Sequence, residues 1–348
     1  MKNSFQTFIL HSSAIRHLVM GILIIPLVFS CEKALFEEDQ ASVDPRTNFE
    51  YLWKQCNEKY SYFDLKKIDW NEVHDRYSAQ LTDSMSDDSL FILMGNMLDE
   101  LRDGHTNLIS DLNISFYPIR KQGPDNFDWR IIEDHYLPAN YYHSGPFSHE
   151  FIANKQVGYI RFSAFTGQIN GTNLNFILNR YKDTKGLIID LRENGGGAVS
   201  DIFELLSHFV DTTTLVNYSR IKTGPGHNDF SEAEPVYLQP SDSTLYLKPV
   251  MMLIDRGSYS ASSFTSLATK ALDNIVLVGD TTGGGLGLPN GGQLPNGWNY
   301  RFSITQALTL DMDNSYENGV PPDIAIRLDW QDLRHDEVID RAIEEILK

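Results

Sequence analysis

Apolar positions recur at helical spacing through residues 48–101: Phe49, Leu52, Trp53 and Cys56, then Trp70, Val73 and Tyr77, then Leu90, Leu93, Met94, Met97, Leu98 and Leu101. Residues three and four apart share one helix face, so the pattern predicts three helices separated at 60–69 and 82–87. From Val157 the pattern changes. Near-continuous apolar runs at 157–162, 186–191, 249–254 and 275–278 alternate with helical spacing over 174–181, 200–210 and 260–272. Such an alternation predicts α/β architecture, with a largely parallel sheet covered by helices. An amphipathic helix over 336–347 closes the pattern. The residues between the two regions, 107–156, carry short apolar pieces without a sustained period and are expected to form an irregular connector.

The amino-terminal segment has a different character. Lys2 and Arg16 precede an apolar run over 18–29, too short for a comfortable membrane span, which ends in Val28-Phe29-Ser30-Cys31. A small residue before a lone Cys at that point resembles a bacterial lipobox, which implies a signal peptide over 1–30, cleavage before Cys31 and lipid on its sulfur. A plain secretory signal, or an anchor helix with an incidental Cys, is the competing reading. Residues 31–45 are polar and aperiodic and read as a tether. Its Glu37-Glu38-Asp39 resembles the export tag of some surface lipoproteins. Together these resemblances imply a protein of the bacterial cell envelope, anchored by lipid to the outer membrane and either periplasmic or surface-exposed.

Charge and cysteine content narrow the partners. The 348 residues carry a formal charge of −18, and removal of 1–30, with Lys2 and Arg16, would make it −20. A body that acidic offers little to neutralise phosphates, which argues against nucleic-acid partners. The only cysteines are Cys31 and Cys56. With Cys31 lipidated no disulfide can form, and Cys56, within an apolar helical stripe, is expected to be a small buried core residue.

Two segments carry candidate chemistry. The buried run 249–254 breaks at Asp255-Arg256-Gly257 and enters Ser258-Tyr259-Ser260-Ala261-Ser262-Ser263-Phe264, displaying a hydroxyl and a free backbone N–H at a helix start. An ordinary Ser N-cap competes with a nucleophile there. The run 187–191 leads into Arg192-Glu193-Asn194-Gly195-Gly196-Gly197, whose glycines let the backbone approach another group and direct N–H groups outward. A phosphate cradle lacks the required spacing and the following Lys-Ser/Thr. An oxyanion hole and a tight strand-to-helix turn both remain open.

The segments Ile189-Asp190-Leu191-Arg192-Glu193-Asn194-Gly195-Gly196-Gly197, Ser258-Tyr259-Ser260-Ala261-Ser262, Val278-Gly279-Asp280-Thr281-Thr282-Gly283-Gly284, Asp103-Gly104-His105-Thr106 and Glu317-Asn318-Gly319-Val320-Pro321-Pro322-Asp323 together resemble the motifs of the tail-specific (C-terminal processing) and tricorn-core serine peptidases. The resemblance covers about residues 45 to 330. It implies a ClpP/crotonase-like core over 157–348 with a small helical domain over 46–106. It further implies hydrolysis of peptide bonds in peptides or unfolded protein tails through an acyl-enzyme, without metal or other cofactor. Ser260 is then the nucleophile, with an oxyanion hole from the N–H of Ala261 and of the loop at Gly195 and Gly196.

The resemblance also supplies a base. Gly285 stands where one branch of the family carries a catalytic Lys, and Lys270, ten helical residues or about 15 Å from Ser260, cannot replace it. His105 matches the base of the tricorn-like branch and Glu317 its supporting carboxylate. A loop-capping role for His105 competes. Gly104 replaces the bridging Ser of that branch, Ser263 replaces a frequent Glu, and the fifty residues of 107–156 are too few for a full peptide-docking PDZ module. Two rivals follow: a catalytically inactive relative binding a ligand in the same cleft, and a crotonase-like acyl-CoA enzyme, which export and negative charge oppose.

Overall fold

The computed structural model describes residues 41–348; the predicted signal segment 1–30, the lipidation candidate Cys31 and the acidic Glu37, Glu38 and Asp39 lie outside the described residues. Helix α1 (Pro45–Lys59) begins at Asp44, whose carboxylate accepts the Thr47 N–H at 2.7 Å, with Pro45 at the first helical position. A single turn, α2 (Phe63–Lys66), interrupts the connection to α3 (Trp70–Ser78), capped by Asp69. Ser86 caps α4 (Asp87–Asp99), with Asp87 and Asp88 placed favourably in its first turn. The apolar faces meet in one cluster around Phe49, Leu52, Trp70 and Met94. Cys56 is fully buried within it, as its pattern predicts.

The segment 107–156 is more ordered than its sequence suggests. It contains β1 (Asn107–Ile109), α5 (Trp129–His135), β2 (Tyr142–Ser144) and β3 (Phe147–Ile152), and β2 and β3 belong to the main sheet. Their order comes from antiparallel hairpin pairing, β2 on β3 and β3 on the apolar strand that follows at Val157–Phe162, rather than from a local period, so residues such as His149 and Glu150 hide the signal.

There follow β4 (Val157–Phe162), α6 (Gly171–Tyr181), β5 (Gly186–Asp190), α7 (Ser200–Leu206), β6 (Thr214–Ile221), β7 (Glu234–Leu238), β8 (Val250–Ile254), α8 (Ala261–Thr269) and β9 (Ile275–Gly279). The chain ends with β10 (Pro289–Gln293), β11 (Asn299–Ser303), β12 (Thr305–Leu308), β13 (Ile324–Ala325) and α9 (Glu337–Leu347). Seven strands form the central sheet in the order β13-β9-β8-β5-β4-β3-β2, parallel from β13 to β4 and antiparallel at the β3 and β2 edge.

Side chains along these strands alternate between two cores. Leu187, Ile189, Met252 and Ile254 face α6, α7 and α8; Ile188, Met251 and Leu253 face α5 and α9. Burial on both faces explains why the strands read as unbroken apolar runs. β1, β11 and β10 form a ribbon whose Leu294, Tyr300 and Phe302 close the helical cluster, while β12, β6 and β7 form a third sheet. Ser61 Oγ donates to the carbonyls of Ser303 and Thr305, tying the helical segment to β11 and β12. No helix of the described residues is long and apolar enough to cross a membrane.

Candidate active site

After β8 the chain turns through Asp255 to Tyr259 into α8. Ser258 Oγ donates to the Leu191 carbonyl at 2.8 Å, and the buried Asp255 carboxylate accepts the N–H groups of Glu193 and Ser258 at 2.8 and 3.0 Å. These bonds fasten the turn to the loop after β5. Ser260 occupies the N-cap position of α8, with φ 56° and ψ −120° and no side-chain capping bond. A Ser N-cap has extended backbone and an Oγ that accepts an amide hydrogen, so capping does not describe Ser260. Its Oγ lies instead 2.9 Å from His105 Nε2. Holding a β-carbon residue at this φ costs on the order of 1–3 kcal/mol, a strain characteristic of functional turns.

His105 follows α4 on a short turn closed by Asp103, whose Oδ1 accepts the His105 N–H at 2.8 Å and whose Oδ2 accepts Ser303 Oγ at 2.8 Å. Burial pushes the imidazole below its ordinary pKa, against the pull of Asp103, so the ring is neutral and able to accept a proton. Nδ1 is buried without a hydrogen-bond partner, and the nearby Gly287 carbonyl favours the protonated ring without outweighing burial. Glu317 makes no hydrogen bond to His105. Its Oε2 accepts the N–H groups of Leu286 and Gly287 at 2.6 and 3.0 Å, and Oε1 stands 3.8 Å from Lys66 Nζ. Burial and the neighbouring Asp103 raise the Glu317 carboxyl to about 8, whereas Asp103, although burial opposes it, is held low by Lys66, His105 and its hydrogen bonds. Of this buried pair, Glu317 is the carboxyl pushed up and Asp103 the one held low.

The glycine loop lies directly over the nucleophile. At Gly196, where φ is +89°, an added Cβ would stand 2.7 Å from Ala261 N and 2.8 Å from Ser260 Cβ. Asn194 holds the loop there. Its side chain donates to the Phe162 carbonyl and accepts the Gly196 N–H at 2.9 Å, while its own carbonyl accepts the Tyr259 N–H. The Gly196 N–H is therefore taken, which corrects its assignment as an oxyanion donor. The N–H groups of Gly195 and Ala261 make no hydrogen bond among the described residues and remain free to donate. An apolar cavity of about 130 Å³ opens alongside, lined in part by Val199, Ile202, Phe203, Phe264 and Leu288. Phe264 donates its N–H to the Ser260 carbonyl, which places this cavity one helical turn from the nucleophile.

Comparisons with known proteins identify the family. The model of peptidase family S41 matches residues 156–326, and that of the tricorn protease C1 domain matches 42–99. The crystal structure of a candidate peptidase from Parabacteroides merdae is 38% identical in sequence, with a TM-score of 0.84 over 88% of this chain and 98% of that one. The chain belongs to peptidase family S41. The carboxy-terminal processing protease CtpB of Bacillus subtilis is 27% identical over 181 residues, covering 52% of this chain and 36% of that protein. The chain spans about a third of the length of the curated relatives it matches. The tricorn protease shares the fold at 17% identity, with a TM-score of 0.55.

Each departure from the S41 pattern noted in the sequence has a structural counterpart. Ser263 is fully buried and bridges the Ser258 carbonyl and Thr282 Oγ1, so no carboxylate is called for. Lys270 pairs with Asp323 at the far end of α8. Gly104 and Gly285 both abut the phenol of Tyr259: a Cβ on either would come within 2.9 Å or less of its hydroxyl. Asp103, Asn194 and Tyr259 lie inside quoted motifs but were assigned no role from sequence. The signals were an Asp two residues before a loop His, an Asn before three glycines, and an aromatic residue beside two glycines distant in the chain.

Proposed function

We propose that this S41 member is an active serine peptidase that cleaves peptides or unfolded protein tails outside the cytoplasm. One observation carries the reading: Ser260 Oγ is withheld from capping and set 2.9 Å from a buried imidazole nitrogen. In the first step Ser260 Oγ attacks the peptide carbonyl carbon as its proton passes to His105 Nε2. The resulting oxyanion takes hydrogen bonds from the N–H groups of Ala261 and Gly195. Collapse breaks the carbon–nitrogen bond, with His105 returning the proton to the departing amine. Water, deprotonated by the same nitrogen, then releases the acid and restores Ser260.

Glu317 supports this cycle at one remove. Its Oε2 accepts the Leu286 and Gly287 N–H groups and so steadies the stretch whose Gly287 carbonyl lies near the His105 ring. The apolar cavity beside α8 suits a medium aliphatic side chain on the acyl side of the cleaved bond. The rival reading of an inactive ligand-binding relative draws on Gly104 and Gly285, and the Tyr259 phenol already occupies the space at both.

Export and lipid attachment at Cys31 complete the proposal, supported by the Val28-Phe29-Ser30-Cys31 sequence. A fluorophosphonate should label the full chain at Ser260, and Ser260→Ala should abolish labelling and peptide hydrolysis with the fold intact. Labelling that maps to another serine, or hydrolysis surviving Ser260→Ala, would refute it. Labelled palmitate should enter the wild type and not Cys31→Ser; absence from the wild type removes the anchor without touching the chemistry.

A further inference from the structure

His105 and Ser260 are 155 residues apart, on the α4 turn and the β8 turn respectively, and a proton transfer between them needs their separation fixed to within about half an ångström. Tyr259 is the side chain that spans the gap. It is the covalent neighbour of Ser260, with its N–H fixed by the Asn194 carbonyl. Its ring packs against the His105 imidazole, with centroids 5.0 Å apart. Its hydroxyl reaches Asp103 Oδ1 at 3.4 Å, the same oxygen that accepts the His105 N–H. Burial, reinforced by Asp103, keeps the phenol protonated and hence a donor.

The two glycines bordering the ring make it possible. At Gly285, where φ is +72°, an added Cβ would sit 2.6 Å from the Tyr259 hydroxyl; at Gly104 the distance would be 2.9 Å. A side chain at either position competes with the phenol for one volume. Resting on the serine-peptidase reading of Ser260, we infer that Tyr259 is a positioning residue that fixes His105 against Ser260, filling the space vacated at Gly104 and Gly285 and tying Asp103 to the nucleophile's own turn. The two positions that look like losses in the sequence are thereby one accommodation.

The test uses the full chain and a fluorophosphonate probe, with the labelled residue mapped and the melting temperature recorded for each variant. Tyr259→Ala should lower the maximal labelling rate at Ser260 about 100-fold, the cost of a misplaced reacting group, without changing the half-saturating probe concentration. Tyr259→Phe, which keeps the ring and removes only the long hydroxyl contact, should lose between about threefold and tenfold. Gly104→Ser supplies a readout that a merely structural Tyr259 would not give. It should slow labelling when Tyr259 is present and speed it in the Tyr259→Ala background, because the new side chain then enters vacated space beside Asp103.

Wild-type rates in Tyr259→Phe, or an effect of Gly104→Ser with the same sign in both backgrounds, would overturn the inference. If Tyr259→Ala does not fold, Tyr259→Phe alone decides. Failure of the wild type to label at Ser260 would sink the peptidase reading and this inference with it. A labelled wild type beside an equally labelled Tyr259 variant sinks the inference only.

Discussion

Gly195 and Gly196 are adjacent and chemically identical, yet the structure assigns them very different tolerance to a single methyl group. At Gly196 the added carbon would meet Tyr259 O at 2.6 Å, Ala261 N at 2.7 Å and Ser260 Cβ at 2.8 Å, and the backbone there has φ +89°. Two of those atoms are main chain and cannot rotate away, so the loop must lift from the nucleophile or the Ala261 N–H must turn aside. Strain at such a φ costs about 1–3 kcal/mol, and loss of one oxyanion donor costs about 100- to 1,000-fold in turnover. At Gly195 the nearest atom is the Arg120 guanidinium nitrogen at 3.4 Å, the end of a side chain 56% exposed, and φ is not positive. Gly196→Ala should therefore lose at least about 100-fold in kcat with little change in KM, while Gly195→Ala stays within about threefold of wild type. A fluorogenic peptide with an aliphatic acyl-side residue, or the maximal rate of fluorophosphonate labelling, reads both. Equal losses in the two variants, or a fully active and folded Gly196→Ala, would refute the placement of the loop over Ser260.

Three further outcomes follow from the buried charges. The acid limb of kcat/KM should have an apparent pKa below the ordinary 6.5 of histidine: burial, with Arg301 and Lys66, outweighs Asp103, and activity is lost as His105 becomes protonated. A limb above 6.5 would contradict the burial of His105. Glu317 is raised from 4.5 to about 8, so the native state retains a proton that the unfolded chain releases, and stability is full below about pH 4.5 and falls as pH rises through 8. Glu317→Gln, isosteric with the neutral acid, should remove that slope from melting temperature against pH and lose less activity than His105→Ala; an unchanged slope would place the proton elsewhere. Asp336 both caps α9 and pairs with Arg192 Nη1 at 2.9 Å, both side chains being fully buried, so Asp336→Ala removes the cap and one of the two carboxylates around Arg192, with Asp190 remaining as its partner at 2.7 Å. Loss of the cap and of that charge-assisted bond costs about 2–4 kcal/mol, or roughly 3–6 °C in melting temperature for a chain of this length, and a fall under about 1 °C in calorimetry would show that the pair is dispensable.

How legible these features were in the sequence depends on where their information resides. The four parallel strands β4, β5, β8 and β9 and the helices α6 to α9 were readable because burial on both sheet faces, or on one helix face, writes a local period. Asp336 illustrates the accuracy this allows: the helix expected over 336–347 begins at Glu337 with Asp336 as its cap. β2 and β3 left no such mark, since β3 is ordered by pairing with β4 and β2 by pairing with β3. β10, with the sequence Pro-Asn-Gly-Gly-Gln, has almost no strand propensity and exists because β11 pairs with it. At the site, Ser260, His105 and the glycine loop could be singled out by residue type and resemblance. Which amide hydrogens are free could not, because the bond from Gly196 N to Asn194 Oδ1 is a property of the folded loop.

Glu317 and Tyr259 show the same division in the chemistry. Sequence resemblance pairs Glu317 with His105, whereas in the fold its hydrogen bonds go to the N–H groups of Leu286 and Gly287. A carboxyl in that setting is useful when neutral, since a second negative charge beside Asp103 would draw a proton onto His105 and remove the base. Gly104 and Gly285 likewise read as deletions when each is compared with what a relative carries at its own position. Side-chain volume is shared across the fold, so the residue answering both absences is neither of them but Tyr259, about 155 residues from one and twenty-six from the other. An active site built on proton transfer can exchange the groups around its base as long as two conditions survive together. The base must be dry, and its near nitrogen must lie within bonding distance of the nucleophile; burial of His105 and the 2.9 Å contact with Ser260 meet them in turn.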